Sequence, residues 1–189
     1  MRSVYDFDNT ILRGDSTARF AVYALTRRPG LLLKVPGVLF AYLGWALKIN
    51  SKQQAKETLF RALCPSVSDA FIEAFWDRNI SRVKRFYRDR HREDDLVISA
   101  SPEFLLEGAM RRLGIGHLIA SPVDRASGRF LGRNCHGEEK TVRFREIWNG
   151  EPFCFYSDSL SDAPMARLAA KAYLVKGERI MPWPEEKAT

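Results

Sequence analysis

Two carboxylates two positions apart end the first apolar stretch of the chain, VYDFDNTIL over residues 4–12. Asp6 and Asp8 would share one face of an extended strand, so the pair can converge on a single ligand. Two more apolar runs end in groups of similar use: LVIS in Ser99, and FCFYSDS in Asp158, with Asp162 four residues further on. Lys140 lies in CHGEEKTVRF, a cation beside Glu138 and Glu139. Taken singly, these residues read as turns, helix caps or an ordinary surface lysine. Together, Asp6, Asp8 and Asp158 make a set of hard oxygen donors suited to Mg²⁺ rather than zinc, completed by substrate oxygen and water. Ser99 precedes ASPEFLLEGAM, where Pro102 suits a first helical turn whose free N–H groups would face a bound anion. Lys140 is the natural counter-charge for that anion. The chemistry indicated is metal-assisted work on a phosphate.

These groups need a scaffold that gathers strand ends. Residues 3–7, 96–98 and 153–156 read as short buried strands, and 172–175 as a fourth. Helical patterns occupy 103–113, 141–148 and 164–170. Alternating strands and helices predict an α/β domain with a mainly parallel sheet. In such sheets ligands collect at one edge, outside the carboxyl ends of the strands. Residues 13–93 carry no convincing strand and read as helical throughout, including a basic helix over SRVKRFYRDRHR. The expected organisation is therefore a core of 1–12 and 94–189, with a helical cap of 13–93 inserted after the first strand.

The charge is unevenly spread. The insertion holds 16 Lys and Arg against 7 Asp and Glu, and the remainder 14 against 16. A basic segment can face solvent, anionic lipid, nucleic acid or a polyanionic substrate. Within it, LLLKVPGVLFAYLGWALKI (31–49) has an uncharged window of only 13 residues broken by Pro36, Gly37 and Gly44. That argues against a spanning helix and for a buried cap helix, with an interfacial segment as the second reading. Three scattered cysteines without a CxxC pair suggest a reduced compartment, and Cys135-His136 lacks zinc-spaced partners. No leader pattern is seen, so a cytoplasmic place is expected, or a peripheral one at the inner face of the membrane. Ser127-Gly128 in ASGRF marks a hairpin turn.

DFDNT (6–10), VISAS (97–101), Lys140 and YSDSLSD (156–162) resemble, in order, the four motifs of the haloacid dehalogenase superfamily. The helical insertion between the first two is similar to that of its phosphoserine-phosphatase-type branch. The resemblance implies a Rossmann-like core and a Mg²⁺-dependent phosphatase. Asp6 would be the nucleophile that forms an aspartyl-phosphate, and Asp8 the acid and then the base. Asp158, with Asp6 and the Asp8 carbonyl, would hold Mg²⁺, and Asp162 would support it. Ser99, Ala100 and Lys140 would grip the phosphoryl oxygens, with Asn9 and Thr10 beside them, Asn9 serving the turn and Thr10 steadying the loop.

The substrate is less defined. SASPE stands where phosphoserine phosphatases usually have Ser-Gly-Gly, although Asp15 falls where that branch often has a substrate-facing Glu. CHGEEK and YSDSLSDAPM resemble stretches of bacterial phosphatidylglycerophosphate phosphatases, which implies a lipid phosphate as an alternative to phosphoserine or another small soluble ester. A receiver-type signalling domain lacks the large insertion. A non-catalytic nucleic-acid- or membrane-binding module is the rival of another class; for nucleic acid, the acidic cluster argues against it.

Overall fold

The computed structural model describes residues 1–184. A six-stranded sheet runs in the order β3-β2-β1-β4-β5-β6. Its strands are β1 (Arg2–Tyr5), β2 (Leu96–Pro102), β3 (His117–Ser121), β4 (Phe153–Ser157), β5 (Lys171–Lys176) and β6 (Arg179–Pro182). All neighbours are parallel except β5 and β6, an antiparallel edge pair. The first strand thus lies inside the sheet, between β2 and β4. Tyr5, Tyr156 and Tyr173 stack across β1, β4 and β5 with ring centroids 4.6 and 4.9 Å apart, which fixes their register. The α/β class and the parallel sheet agree with the sequence reading, and β3 and β6 are strands it did not anticipate.

Between β1 and β2 come α1 (Ser16–Arg27), α2 (Val35–Ala46), α3 (Lys52–Leu63), α4 (Asp69–Asn79) and the single turn α5 (Arg85–Arg88). The core helices are α6 (Glu103–Leu113), α7 (Glu138–Ile147) and α8 (Ala163–Leu168). Capping residues set the starts of the inserted helices. Asp15 accepts from Ala18 N, Ser51 and Gln54 make a reciprocal capping box, and Ser68 accepts from Phe71 N.

The insertion is packed firmly on the core. One apolar cluster runs from Phe20 of α1 and Phe75 and Trp76 of α4 to Phe7, Leu105 and Leu106. Trp76 Nε1 donates to Leu105 O at 2.6 Å, and a Cβ at Gly108 would stand 2.8 Å from the Trp76 ring, so a glycine allows α4 to approach α6. At the other end the 123–130 hairpin turns as expected, with Asp124 N bonded to Arg129 O. Gly128 there has φ +73°, and a Cβ would clash with the Phe60 backbone of α3 at 2.4 Å.

Two expectations fail. The basic helix over 81–92 is broken: Val83 bridges antiparallel to Leu12, and Lys84 N bonds to Ile11 O. Lys84 also donates from Nζ to the Asn9 carbonyl, so its bonds go to the first loop in place of a continuing helix. The apolar stretch 31–49 is not a buried cap helix either, because α2 has no buried residue. The helical run that includes it, Pro29–Ala46, is long and apolar enough by length and composition to cross a membrane, and only 11% of it is buried.

Candidate active site

The carboxyl ends of β1, β2 and β4 open onto one cleft of about 270 Å³. Asp6, Asp8, Asn9, Asp15, Ser99, Ala100, Lys140, Asp158 and Asp162 all line it. Nine of the ten residues singled out from the sequence are therefore brought together. Thr10 is the exception: it is fully buried behind the cleft rather than facing a phosphate. Its hydroxyl lies 3.2 Å from Asp6 Oδ2 and 3.3 Å from Asp158 Oδ1, and it accepts from Asp158 N at 2.8 Å. Thr10 joins the first and last motifs from beneath.

Asp6 directly follows β1, its N–H bonded to Tyr156 O at 2.9 Å. Lys140, almost wholly buried at the start of α7, donates to Asp6 Oδ1 at 2.7 Å and to Asp162 Oδ2 at 2.8 Å. Burial drives the Asp6 pKa up to about 7, although Lys140 pulls it back. Burial also works against the charge on Lys140, but Asp6 and Asp162 outweigh it and hold the ammonium above its ordinary value. Asp162 is fixed from the other side by Ser157 Oγ at 2.7 Å, while its Oδ1 is buried with no partner.

Asp8 sits in a separate holder. Its Oδ1 accepts from Ser16 N at the start of α1 at 2.6 Å, and its Oδ2 from Ser101 Oγ at 2.5 Å. Ser16 and Thr17 hydroxyls lie 3.1 and 2.9 Å from Ser101 Oγ, making a buried hydroxyl cluster. Burial, followed by the nearby Asp15 charge, raises Asp8 to about 6. Between Ile98 and Pro102 the β2 ladder shifts register, which turns Ser99–Ser101 into the cleft. The helix α6 then starts at Glu103, with Pro102 as its cap rather than inside its first turn. Asn9 turns the first loop with φ 58°, a conformation asparagine tolerates, and its carbonyl accepts from Lys84 Nζ.

Several participants escaped the sequence reading: Ser101, Lys52, Lys56 and His136. Lys52 and Lys56 are four apart on α3 and share a face, a signal that SKQQAKE did carry. Lys56 Nζ donates to Ala100 O at 2.8 Å and Asn134 Oδ1 at 3.2 Å. Burial, and next Lys52, lower its pKa to about 8. Cys135 is buried, whereas His136 faces the cleft with Nε2 3.4 Å from Lys52 Nζ.

The donors suit a hard divalent cation. No three His, Cys, Asp or Glu side chains form a ready-made cage among the described residues. Mg²⁺ takes one or two carboxylates and keeps water and substrate oxygens in the remaining positions. Asp6 and Asp158 are close enough to share one hydroxyl, burial raises Asp158 as well as Asp6, and Asp162 Oδ1 lacks a partner. That carboxylate-rich pocket is short of positive charge and has an oxygen left to satisfy.

A family model of haloacid dehalogenase-like hydrolases matches residues 4–167. The chain belongs to this family. Among relatives of the chain, a probable phosphatase from Mycobacterium tuberculosis is 33% identical over 94 residues, 46% of this chain and 33% of that protein. Phosphoserine phosphatase SerB1 of the same organism is 29% identical over 196 residues, 90% of this chain and 63% of that one. The chain thus spans a third of the first of these relatives and under two thirds of the second. Protein CicA of Caulobacter vibrioides is 27% identical over 192 residues, covering 93% and 84%. A crystal structure of a Bordetella pertussis Tohama I protein of unknown function shares the fold, with TM-score 0.78, 23% identity and coverage of 90% and 87%.

Proposed function

We propose that this hydrolase is a Mg²⁺-dependent phosphomonoester phosphatase working through an aspartyl-phosphate on Asp6. The carrying observation is the pair of differently held carboxylates at one strand end: Asp6 against Lys140, Asp8 against Ser101 and the start of α1. An Asp6 oxygen attacks phosphorus, the ester P–O bond breaks, and Asp8 gives its proton to the departing oxygen. Water then attacks the same phosphorus, Asp8 takes the proton, and Asp6 leaves as a carboxylate with release of phosphate. A carboxyl near pKa 6 is suited to both donating and accepting near neutrality. Ser99 and Lys140 hold the phosphoryl oxygens, Thr10 keeps Asp6 and Asp158 in register, and residues 13–93 act as the cap. Bound beside Asp6, Asp158 and the Asp8 carbonyl, Mg²⁺ would offset the repulsion between Asp6 and the phosphate dianion. The M. tuberculosis relatives named as phosphatases support this reading. The direct test is phosphate release from p-nitrophenyl phosphate, phosphoserine and phosphatidylglycerophosphate, with EDTA abolishing turnover and MgCl₂ restoring it.

The metal should also show in stability. Asp6 and Asp8 have folded pKa values raised to about 7 and about 6, so the metal-free fold binds protons more tightly than the unfolded chain. Their contribution is full below about pH 4 and is lost as pH rises through those values. A bound divalent cation favours the ionised forms and reverses the loss. The rise in Tm on adding MgCl₂ should therefore grow between pH 5 and 8, and a gap independent of pH would contradict it.

The cationic rim favours a substrate with a second anionic group. Lys52 and Lys56 line the cleft with the carboxylates, beside a His136 that burial and Lys52 hold below the ordinary imidazole value, and Lys52 also lies 5.7 Å from the Trp45 ring at the exposed end of α2. A lipid phosphate with a second phosphate in its headgroup fits that rim better than a neutral alcohol does. Removing one partly solvated charge costs about 1 kcal/mol. Lys52→Ala should accordingly raise KM for a doubly phosphorylated ester about fivefold, with kcat on p-nitrophenyl phosphate unchanged. Equal effects on both substrates would remove this assignment.

A further inference from the structure

Among the described residues, the most exposed apolar surface lies outside the cleft and takes no part in the chemistry. On α2 and its flanks, Leu33, Leu39, Phe40, Leu43, Leu47 and Ile49 all face outward, with Leu33 87%, Phe40 77% and Ile49 79% exposed. Contiguous apolar surface of this kind marks an interaction face.

The chain path limits what that face can do. Leu31 is buried ahead of α2, and Lys34 Nζ donates to Ala62 O of α3. After α2, Ile49 N bonds to Gly44 O and Asn50 Nδ2 to Ala41 O, which turns the chain back into the capping box of α3. Both ends of the helix therefore return to the same body. The returning arm carries Lys52, Gln53, Gln54, Lys56 and Glu57, too polar to cross hydrocarbon. An apolar helix held in this way lies along a surface rather than through it.

Charge selects the surface. From Ser16 to Lys56 there is no Asp or Glu, while there are seven Lys and Arg: Arg19, Arg27, Arg28, Lys34, Lys48, Lys52 and Lys56. Lys34 and Lys48 flank α2 itself. We propose that the outer face of α2 and its flanking turns docks flat on an anionic lipid bilayer, its leucines and Phe40 in the headgroup boundary and its cations against lipid phosphates. Trp45, near the end of that face, reaches Lys52 at the rim of the cleft, so docking would bring the cleft to the membrane surface. Binding itself does not depend on the phosphatase reading.

The test is co-sedimentation of the full chain with vesicles of phosphatidylcholine containing phosphatidylglycerol, and of phosphatidylcholine alone. Binding to the anionic vesicles should be about tenfold stronger and should weaken with added salt. Phe40→Glu with Leu43→Glu should lower it at least about tenfold, and Lys34→Glu with Lys48→Glu should remove the preference for the anionic vesicles. Unchanged melting curves show that the variants fold, whether or not the protein turns over any ester. The proposal is overturned if the wild-type chain sediments with neither vesicle, or if the glutamate pair binds as well as wild type. It is equally overturned if light scattering finds a dimer that the glutamate pair converts to a monomer, since a second copy would then own this face.

Discussion

Asp6→Asn should abolish turnover, lowering kcat on p-nitrophenyl phosphate by about 10⁴-fold or more, as loss of a nucleophile does elsewhere. The substitution is nearly isosteric, yet an amide cannot serve as the attacking oxygen anion. Lys140 would keep its contact with Asp162, so the buried ammonium stays paired. The fold should survive. Because burial holds the Asp6 carboxyl near pKa 7, replacing it also removes a charge that the metal-free fold accommodates poorly at pH 8. Metal-free Asp6→Asn should therefore melt at or above the wild-type temperature at that pH. Acid quenching during turnover of a ³²P-labelled ester should trap label on the wild-type chain and none on the variant. Turnover within tenfold of wild type would move the nucleophile elsewhere and end the mechanism proposed above.

Lys140→Met should produce the second largest effect, and it should appear in both stability and rate. The ammonium touches Asp6 and Asp162 at 2.7 and 2.8 Å with almost no exposure to water. Removing one partner of a buried ion pair leaves an uncompensated charge and costs about 3–5 kcal/mol. For a chain of this size that corresponds to a fall in Tm of roughly 10 °C at pH 8 without metal. The sign of the pH dependence follows from the carboxyls. Without Lys140, Asp6 holds its proton to a still higher pH, so the penalty is small at pH 5 and grows as pH rises through the folded pKa. The loss of a cation at the phosphoryl oxygens should lower kcat by about 10²–10³-fold as well. Lys140→Arg keeps the charge but not the compact shape, and should recover stability better than rate. Wild-type stability of Lys140→Met at pH 8 would mean that the buried carboxylates do not depend on it.

The strand-end groups were legible in the sequence because acidic and hydroxyl residues closing apolar runs are conspicuous, and parallel topology carries them to one edge. Helix 103–113 was legible to the residue, since its apolar spacing and the following Gly114 both mark it. Other features exist only in three dimensions. Ser101 reads in the sequence as the loss of a glycine, and its contact with Asp8 needs Ser16 and Thr17 brought across from α1. Thr10 sits in the first motif like a phosphate contact, but the close approach of Asp158 turns its hydroxyl beneath the cleft. The basic run 81–92 lost its helix to pairing with Leu12, which no local pattern announces. An apolar stretch such as 31–49 states only that it avoids water; burial in protein and burial in lipid look alike in composition.

The central place of β1 bears on how the protein is made. Val4 pairs with Leu96 and Arg2 with Phe153, so this strand, made before either neighbour, waits for partners encoded far downstream. Until β4 has left the ribosome, β1 has an open edge, and the carboxylates just beyond it have neither Asp158 nor Asp162 beside them. Such distant pairings make folding slow and leave strand edges exposed in the meantime. Asp6 and Asp8 are thus translated well before the groups they work with, and a nascent chain that ends short of β4 carries both of them but no cleft.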